Sequence, residues 1–354
     1  MRDHAPRPVS RVPAVSPVPV VSRAPAVSRL PRVTLRGIQI ALGCLWLLDG
    51  LLQFQSYMYS HAFVSQVLEI NAAGQPSFVG GPILTLAHLY GRDLALWNTL
   101  AALTQCMIGL GLIINQRTVR LALLASFGWA FMVWWFGEGF GMLLSGTPVS
   151  PLLGAPGAAI VYALIGVLVW PASRRRERRA AGGALLRNRR GLIVWSVLWL
   201  EAAALWLANV NRSRNAIHDQ LLGAAASAPH LLASWQRSVA AATQGHGTTI
   251  ALLLALVSIA IAAGVWTSRL RVVTIAAGIV LSLAYWVLGQ NLGGPFWGGN
   301  ATDVNSGPLF LLLALALLPA ISSPRVRARR RQDVSSALEV GDQQAEVVLV
   351  GARH

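Results

Sequence analysis

The sequence predicts an all-α polytopic integral membrane protein with about eight transmembrane helices arranged as two parallel four-helix repeats. Three observations lead there. The 354 residues are 55% hydrophobic and only 12% charged, with a mean hydropathy of +0.55, whereas soluble domains carry about 25% charged residues. Eight apolar stretches approach the roughly 20 residues that cross a hydrocarbon core of about 30 Å. The chain also resembles itself at an offset of 152 residues.

In chain order, residues 1–36 are a low-complexity tail in which Pro, Val, Ser and Arg recur, with VSR three times. Such a segment cannot bury a core, so a disordered basic tail is expected. The apolar stretches are Gly37–Tyr57, Leu94–Asn115, Val119–Leu144, Leu152–Trp170, Gly191–Val210, Gly247–Thr267, Arg271–Gln290 and Gly307–Ser322. They define a first repeat over 37–171, an arginine-rich linker over 172–190, a second repeat over 191–323 and a tail over 324–354. With the N-terminus inside, 25 arginines fall on the cytoplasmic side and 4 outside. The positive-inside rule therefore predicts cytoplasmic termini in a bacterial plasma membrane, and places the long connections after the first and fifth spans outside.

The charge of +16 does not point to nucleic acid. The arginines cluster at the ends of apolar segments, where they orient the chain and meet anionic lipid or a membrane protein partner. All 29 basic residues are arginine, so there is no lysine for a Schiff base or a phosphate-binding loop. Cys44 and Cys106 make no CxxC, and no metal-ligand spacing is present. No nucleophile with its base appears, so an enzyme acting alone ranks last and no cofactor is specified.

The offset of 152 places Trp134 on Trp286, Gly137 on Gly289, Glu138 on Gln290 and Gly141 on Gly293. Four crossings per unit would insert both units the same way up. Gly137 and Gly141, like Gly289 and Gly293, have the spacing that lets a second helix approach. Glu138 falls about 28 Å from the inner end of its span at 1.5 Å per residue, at the outer interface, where it either reaches interfacial water among tryptophans of an aromatic belt or belongs to an outward-facing polar and aromatic site between the repeats. The candidate lining of that site is Trp134, Trp135, Glu138, Trp286, Gln290, Asn291 and Trp297. Deeper in the spans stand Asp49 and Glu201. An ionised carboxylate there costs roughly 2.5 to 3.5 kcal/mol, so each is expected to be protonated, hydrated, cation-bound or simply capped by a neighbour such as Gln53 or Gln105.

Two stretches, "LLDGLLQFQSYMYSHAF" and "LTQCMIGLGLIINQRTVRLALL", resemble the DoxX family of four-helix bacterial membrane proteins, as does "LLLALVSIAIAAGVWTSRLRVVTIA" in the second unit. Gln105 and Ser258 stand where that family tends to have glutamate. The resemblance implies a redox-associated role near quinone or thiol chemistry. Three functions are thus open: binding of a quinone or other amphipathic molecule, proton- or cation-coupled transport using Asp49 and Glu201, and a non-catalytic accessory subunit.

Overall fold

The computed structural model describes residues 34–171, 189–295 and 298–317, and all regular structure among them is helical. The first half contains α1 (Leu35–Leu52), α2 (Ser77–Arg92), α3 (Leu94–Ile113), α4 (Val119–Met132) and α5 (Ala158–Leu168). The second contains α6 (Arg189–Leu207), α7 (Ala216–Ala226), α8 (His230–Thr243), α9 (Gly247–Gly264), α10 (Arg271–Leu288) and α11 (Ser306–Leu317). The tails, and the linker up to residue 188, lie outside the described residues.

Local chemistry sets the helix ends. Thr34 caps α1 by accepting from the Gly37 amide at 3.0 Å, and Asp93 caps α3 by accepting from Leu96 at 3.0 Å, which satisfies amides that a helix start leaves without partners. At the other end of α3, the Arg36 guanidinium donates to the carbonyls of Leu112 at 2.7 Å and Ile113 at 2.5 Å. α1 and α3 lie so close that a Cβ on Gly43 would sit 2.9 Å from the Gly109 carbonyl, and one on Gly109 2.7 Å from that of Gly43. Small residues allow that approach. In the second half, α6 and α9 are instead tied by the Ser196 hydroxyl donating to the Ala262 carbonyl at 2.7 Å.

Among the described residues, six helices are long and apolar enough to cross a membrane: Leu35–Leu52, Leu94–Ile113, Val119–Gly137, Arg189–Leu207, Gly247–Gly264 and Arg271–Leu288. The fourth and eighth expected spans differ. α5 starts only at Ala158 because Pro156, Gly154 (φ 101°) and Gly157 (φ 106°) separate it from the single 3-10 turn Pro151–Leu153 and hold the intervening residues out of α-helix. Its 11 residues rise about 16 Å, well short of a hydrocarbon core. α11 is described over 12 residues. These two short helices pack against each other, α5 also meeting α1, α4 and α6, and α11 also meeting α1, α6 and α10. One buried cluster runs through them, from Leu42, Trp46 and Ile165 to Trp195, Leu309 and Leu313. Non-helical backbone at membrane depth is tolerated where protein encloses it.

The two connections expected as loops are largely helical. Residues 56–72 form short helical turns that lead into α2, and their apolar side chains Met58, Phe63, Val64 and Leu68 bury a cluster with Ala87. In the second half the connection is the packed hairpin of α7 and α8.

Candidate functional site

The span containing α4 ends in a π-helical turn, Val133–Gly137, followed by four consecutive left-handed residues: Gly139, Phe140, Gly141 and Met142, with φ between 52° and 64°. Left-handed backbone at Phe140 and Met142 costs roughly 1–2 kcal/mol per residue, and such strain persists only where the surroundings over-determine it. The Trp134 indole fixes the turn by donating to the Pro156 carbonyl at 2.8 Å. Glu138 then lies at the start of α5, where its Oε1 accepts from the Ala159 amide at 3.0 Å, a favourable place for an anion. Gly157 (φ 106°) makes room: a Cβ there would run into Glu138 Oε2.

Beyond Glu138 lies a cavity of about 160 Å³. Three carboxyl-bearing residues line it: Asp49 from α1, Glu138 from the turn, and Asp303 from the segment preceding α11. Asp49 is 3% exposed. Its Oδ2 accepts from the Tyr162 hydroxyl, and its Oδ1 has no partner. The Trp46 ring covers Tyr162 at a centroid distance of 4.2 Å and is held by donation to the Ser126 hydroxyl at 3.0 Å. Asp303 accepts from the Asn305 amide at 2.5 Å and from the Thr302 hydroxyl at 2.9 Å. Burial pushes its carboxyl above the usual aspartate range, against those two bonds.

A polar chain fastens the wall. Tyr90 donates to Asn98 Oδ1 at 2.9 Å, Asn98 to the Gln53 carbonyl at 2.6 Å, and Gln53 to the Thr302 carbonyl at 2.9 Å. Glu138 Oε2 and Gln105 Oε1 have no partner. Trp129 Nε1, also in the lining, is a donor without a partner. Among the described residues no arginine or histidine lines the cavity, and no three His, Cys, Asp or Glu side chains gather closely enough to hold a metal ion.

The second half repeats the geometry with other chemistry. Asn291, Leu292, Gly293 and Gly294 form a left-handed run with φ between 50° and 75°, and the Trp286 indole donates to the Val304 carbonyl at 2.9 Å. Gln290 accepts from the Ser306 hydroxyl at 3.1 Å and donates to the Pro151 carbonyl at 3.3 Å. Beside it lies a cavity of about 20 Å³ that contains Glu201, whose two carboxyl oxygens are both without partners.

The expected site is therefore divided. Glu138 lines the larger cavity and Gln290 the smaller. Trp134 and Trp286 act as clamps on the turns. Trp135 stacks on Phe136 at 5.0 Å and leaves its indole nitrogen without a partner. Asn291 binds the α7–α8 hairpin, donating to the Ala224 carbonyl at 2.9 Å and accepting from Gln236 at 2.6 Å. Trp297 lies outside the described residues. Gly137 and Gly141 do not share a helical face, because the helix stops at Gly137 and Gly141 (φ 64°) belongs to the turn, where a Cβ would press on the Pro156 backbone. Gly293 (φ 75°) likewise sits in the turn against Val304, while Gly289 closes the end of α10 against Leu152. Cys44 is exposed and Cys106 packs at Gly50; both are free thiols.

Sequence reasoning missed Tyr162 and Asp303. Pairing Trp134 with Pro156 and Trp286 with Val304 sets the last helices at an offset of 148 residues. That register aligns α5 with α11, Tyr162 with Phe310 and Ala155 with Asp303. Comparison with protein-family models, with curated proteins and with solved structures finds no match to the chain.

Proposed function

We propose that this chain is a membrane protein that binds a small cation-bearing molecule in the first-half cavity and exchanges it against protons, the chemistry of a proton- or cation-coupled transporter. The carrying observation is the convergence of Asp49, Glu138 and Asp303 on one cavity that, among the described residues, no basic side chain lines. Its groups without partners are mainly acceptors: Asp49 Oδ1, Glu138 Oε2 and Gln105 Oε1. An ammonium group supplies the donors those atoms lack, and the faces of Trp46, Trp129 and Phe136 suit a cation over an aromatic ring. A quinone brings acceptors to a cavity whose buried atoms without partners are acceptors apart from Trp129 Nε1, so the cation reading fits better.

The matched left-handed turns, the matched tryptophan clamps and the offsets of 152 and 148 residues support two parallel repeats, and the arginine distribution supports cytoplasmic termini in a bacterial plasma membrane. Kinship with the DoxX family remains part of this proposal on the quoted sequence motifs.

Methylammonium titrated into the purified full chain is expected to raise its thermal midpoint and release protons into weak buffer, with both responses lost in Asp49→Asn combined with Glu138→Gln. A neutral quinone that stabilises the protein while methylammonium does not would overturn the reading.

A further inference from the structure

We infer that the ligand is an amphiphilic amine taken from the bilayer, whose ammonium group sits among the carboxyls while its hydrocarbon tail leaves through a lateral mouth at Met132. This rests on the cation reading above and deepens it.

Of the side chains that line the cavity, Met132 alone is exposed, at 41%; the rest are buried or half-buried. Met132 belongs to the span Val119–Gly137. Its neighbour Phe131 is 49% exposed, and Leu103 on α3 is 47% exposed, so both spans present apolar side chains outward. α3 and α4 come together where a Cβ on Gly111 would lie 2.9 Å from that of Ala122. Ala101 and Gln105 of α3 and Trp129 of α4, beyond that contact, all line the cavity. The cavity thus occupies the seam between two helices apolar enough to span the membrane.

The wall made by the 56–92 connection has no exposed side chain among the residues that line the cavity. Phe63 and Leu68 line the cavity there and belong to the buried cluster with Met58 and Ala87. A water-borne ion entering at Met132 would first have to leave water and cross apolar surface, whereas an amphiphile already has its tail there and its head at the interface.

Size completes the argument. A cavity of about 160 Å³ is close to the engineered cavity of about 150 Å³ that holds one benzene. It accommodates an ammonium headgroup with its first carbons, so a longer chain has to remain outside.

The test compares methylammonium with dodecylammonium, titrated against the full chain in phosphatidylcholine nanodiscs, with dodecylammonium counted at its membrane concentration. Both are expected to bind, dodecylammonium within about tenfold of methylammonium or tighter, since its tail never leaves lipid. Met132→Trp, at an exposed position, is expected to weaken dodecylammonium relative to methylammonium by at least about tenfold by filling the mouth. Methylammonium binding without dodecylammonium binding, or an unchanged ratio in Met132→Trp, would overturn the lateral mouth and leave the cation reading standing. If neither amine binds, the cation reading itself fails and takes this inference with it.

Discussion

The two cavities sit at matching places in the two halves, and their differences fall at the polar positions. Asp49 is matched by Glu201 and Glu138 by Gln290 at the offset of 152, Tyr162 by Phe310 and Asp303 by Ala155 at the offset of 148. Three carboxyls and a phenol become one carboxyl, an amide and two apolar groups. The space changes in step, from about 160 Å³ to about 20 Å³, partly because Tyr285 stands where the first half has Val133. Each cavity also borrows from the other half: Thr302 and Asp303 line the first, Pro151 and Ala155 the second. The two halves share their turns and clamps, while the carboxyls are concentrated at the first cavity. The difference is why the proposed ligand is placed in the first cavity, while the second is packing around one enclosed acid.

The comparison breaks most sharply at Asp49, the acid with a buried phenol partner. Asp49→Asn is expected to weaken methylammonium binding about 100-fold, since losing one member of a buried charge contact costs 2–5 kcal/mol. Calorimetric titration measures it, and a change below threefold would remove Asp49 from the site. Tyr162→Phe makes the first cavity resemble the second by deleting the hydrogen bond to Asp49. A bond to a charged group contributes about 1.5–3 kcal/mol, so a loss on the order of tenfold is expected in the same titration, with the fold intact by circular dichroism.

How much of this was legible in the sequence follows from which forces are local. The apolar spans, Asp49, Glu138 and the match of Trp134 to Trp286 are visible because hydropathy and self-similarity act along the chain. Tyr162 and Asp303 are not, because their roles arise from contact with Asp49 and with the opposite half. A four-residue shift in register before the last helix also hides the pairing of Ala155 with Asp303. The glycines at 141 and 293 carry a helix-packing spacing, yet the chain has already left the helix there, and only the backbone angles reveal the turn. The connections 56–92 and 209–246 are helical because they pack on the bundle ends, which no window of propensity reports.

Asp303 sharpens the comparison through pH. Its carboxyl is held above the usual range by burial, whereas an unfolded aspartate titrates near 3.9. Between the two values the folded chain keeps a proton that the unfolded chain has lost. The stabilisation is therefore complete below about 3.9 and is lost as pH rises through the folded value. The slope is at most about 1.4 kcal/mol per pH unit. Thermal midpoints of the wild type are expected to fall with rising pH more steeply than those of Asp303→Asn, and added methylammonium is expected to recover the difference by replacing the lost proton with a bound cation. Parallel midpoints in the two proteins would mean that Asp303 does not titrate in the folded chain.

The smallest effect is expected at Glu201, and it tests whether one cavity or two serve the ligand. Both oxygens of Glu201 lack partners, and the space beside them is about 20 Å³, room for about one water molecule. No ammonium ion with a carbon chain fits there. Glu201→Gln preserves the shape and removes only the acid, so methylammonium affinity should change less than twofold and the thermal midpoint by a degree or two, within the range of a conservative substitution. A loss matching that of Asp49→Asn would join the two cavities into one path across the molecule, and the division of labour between the halves would no longer hold.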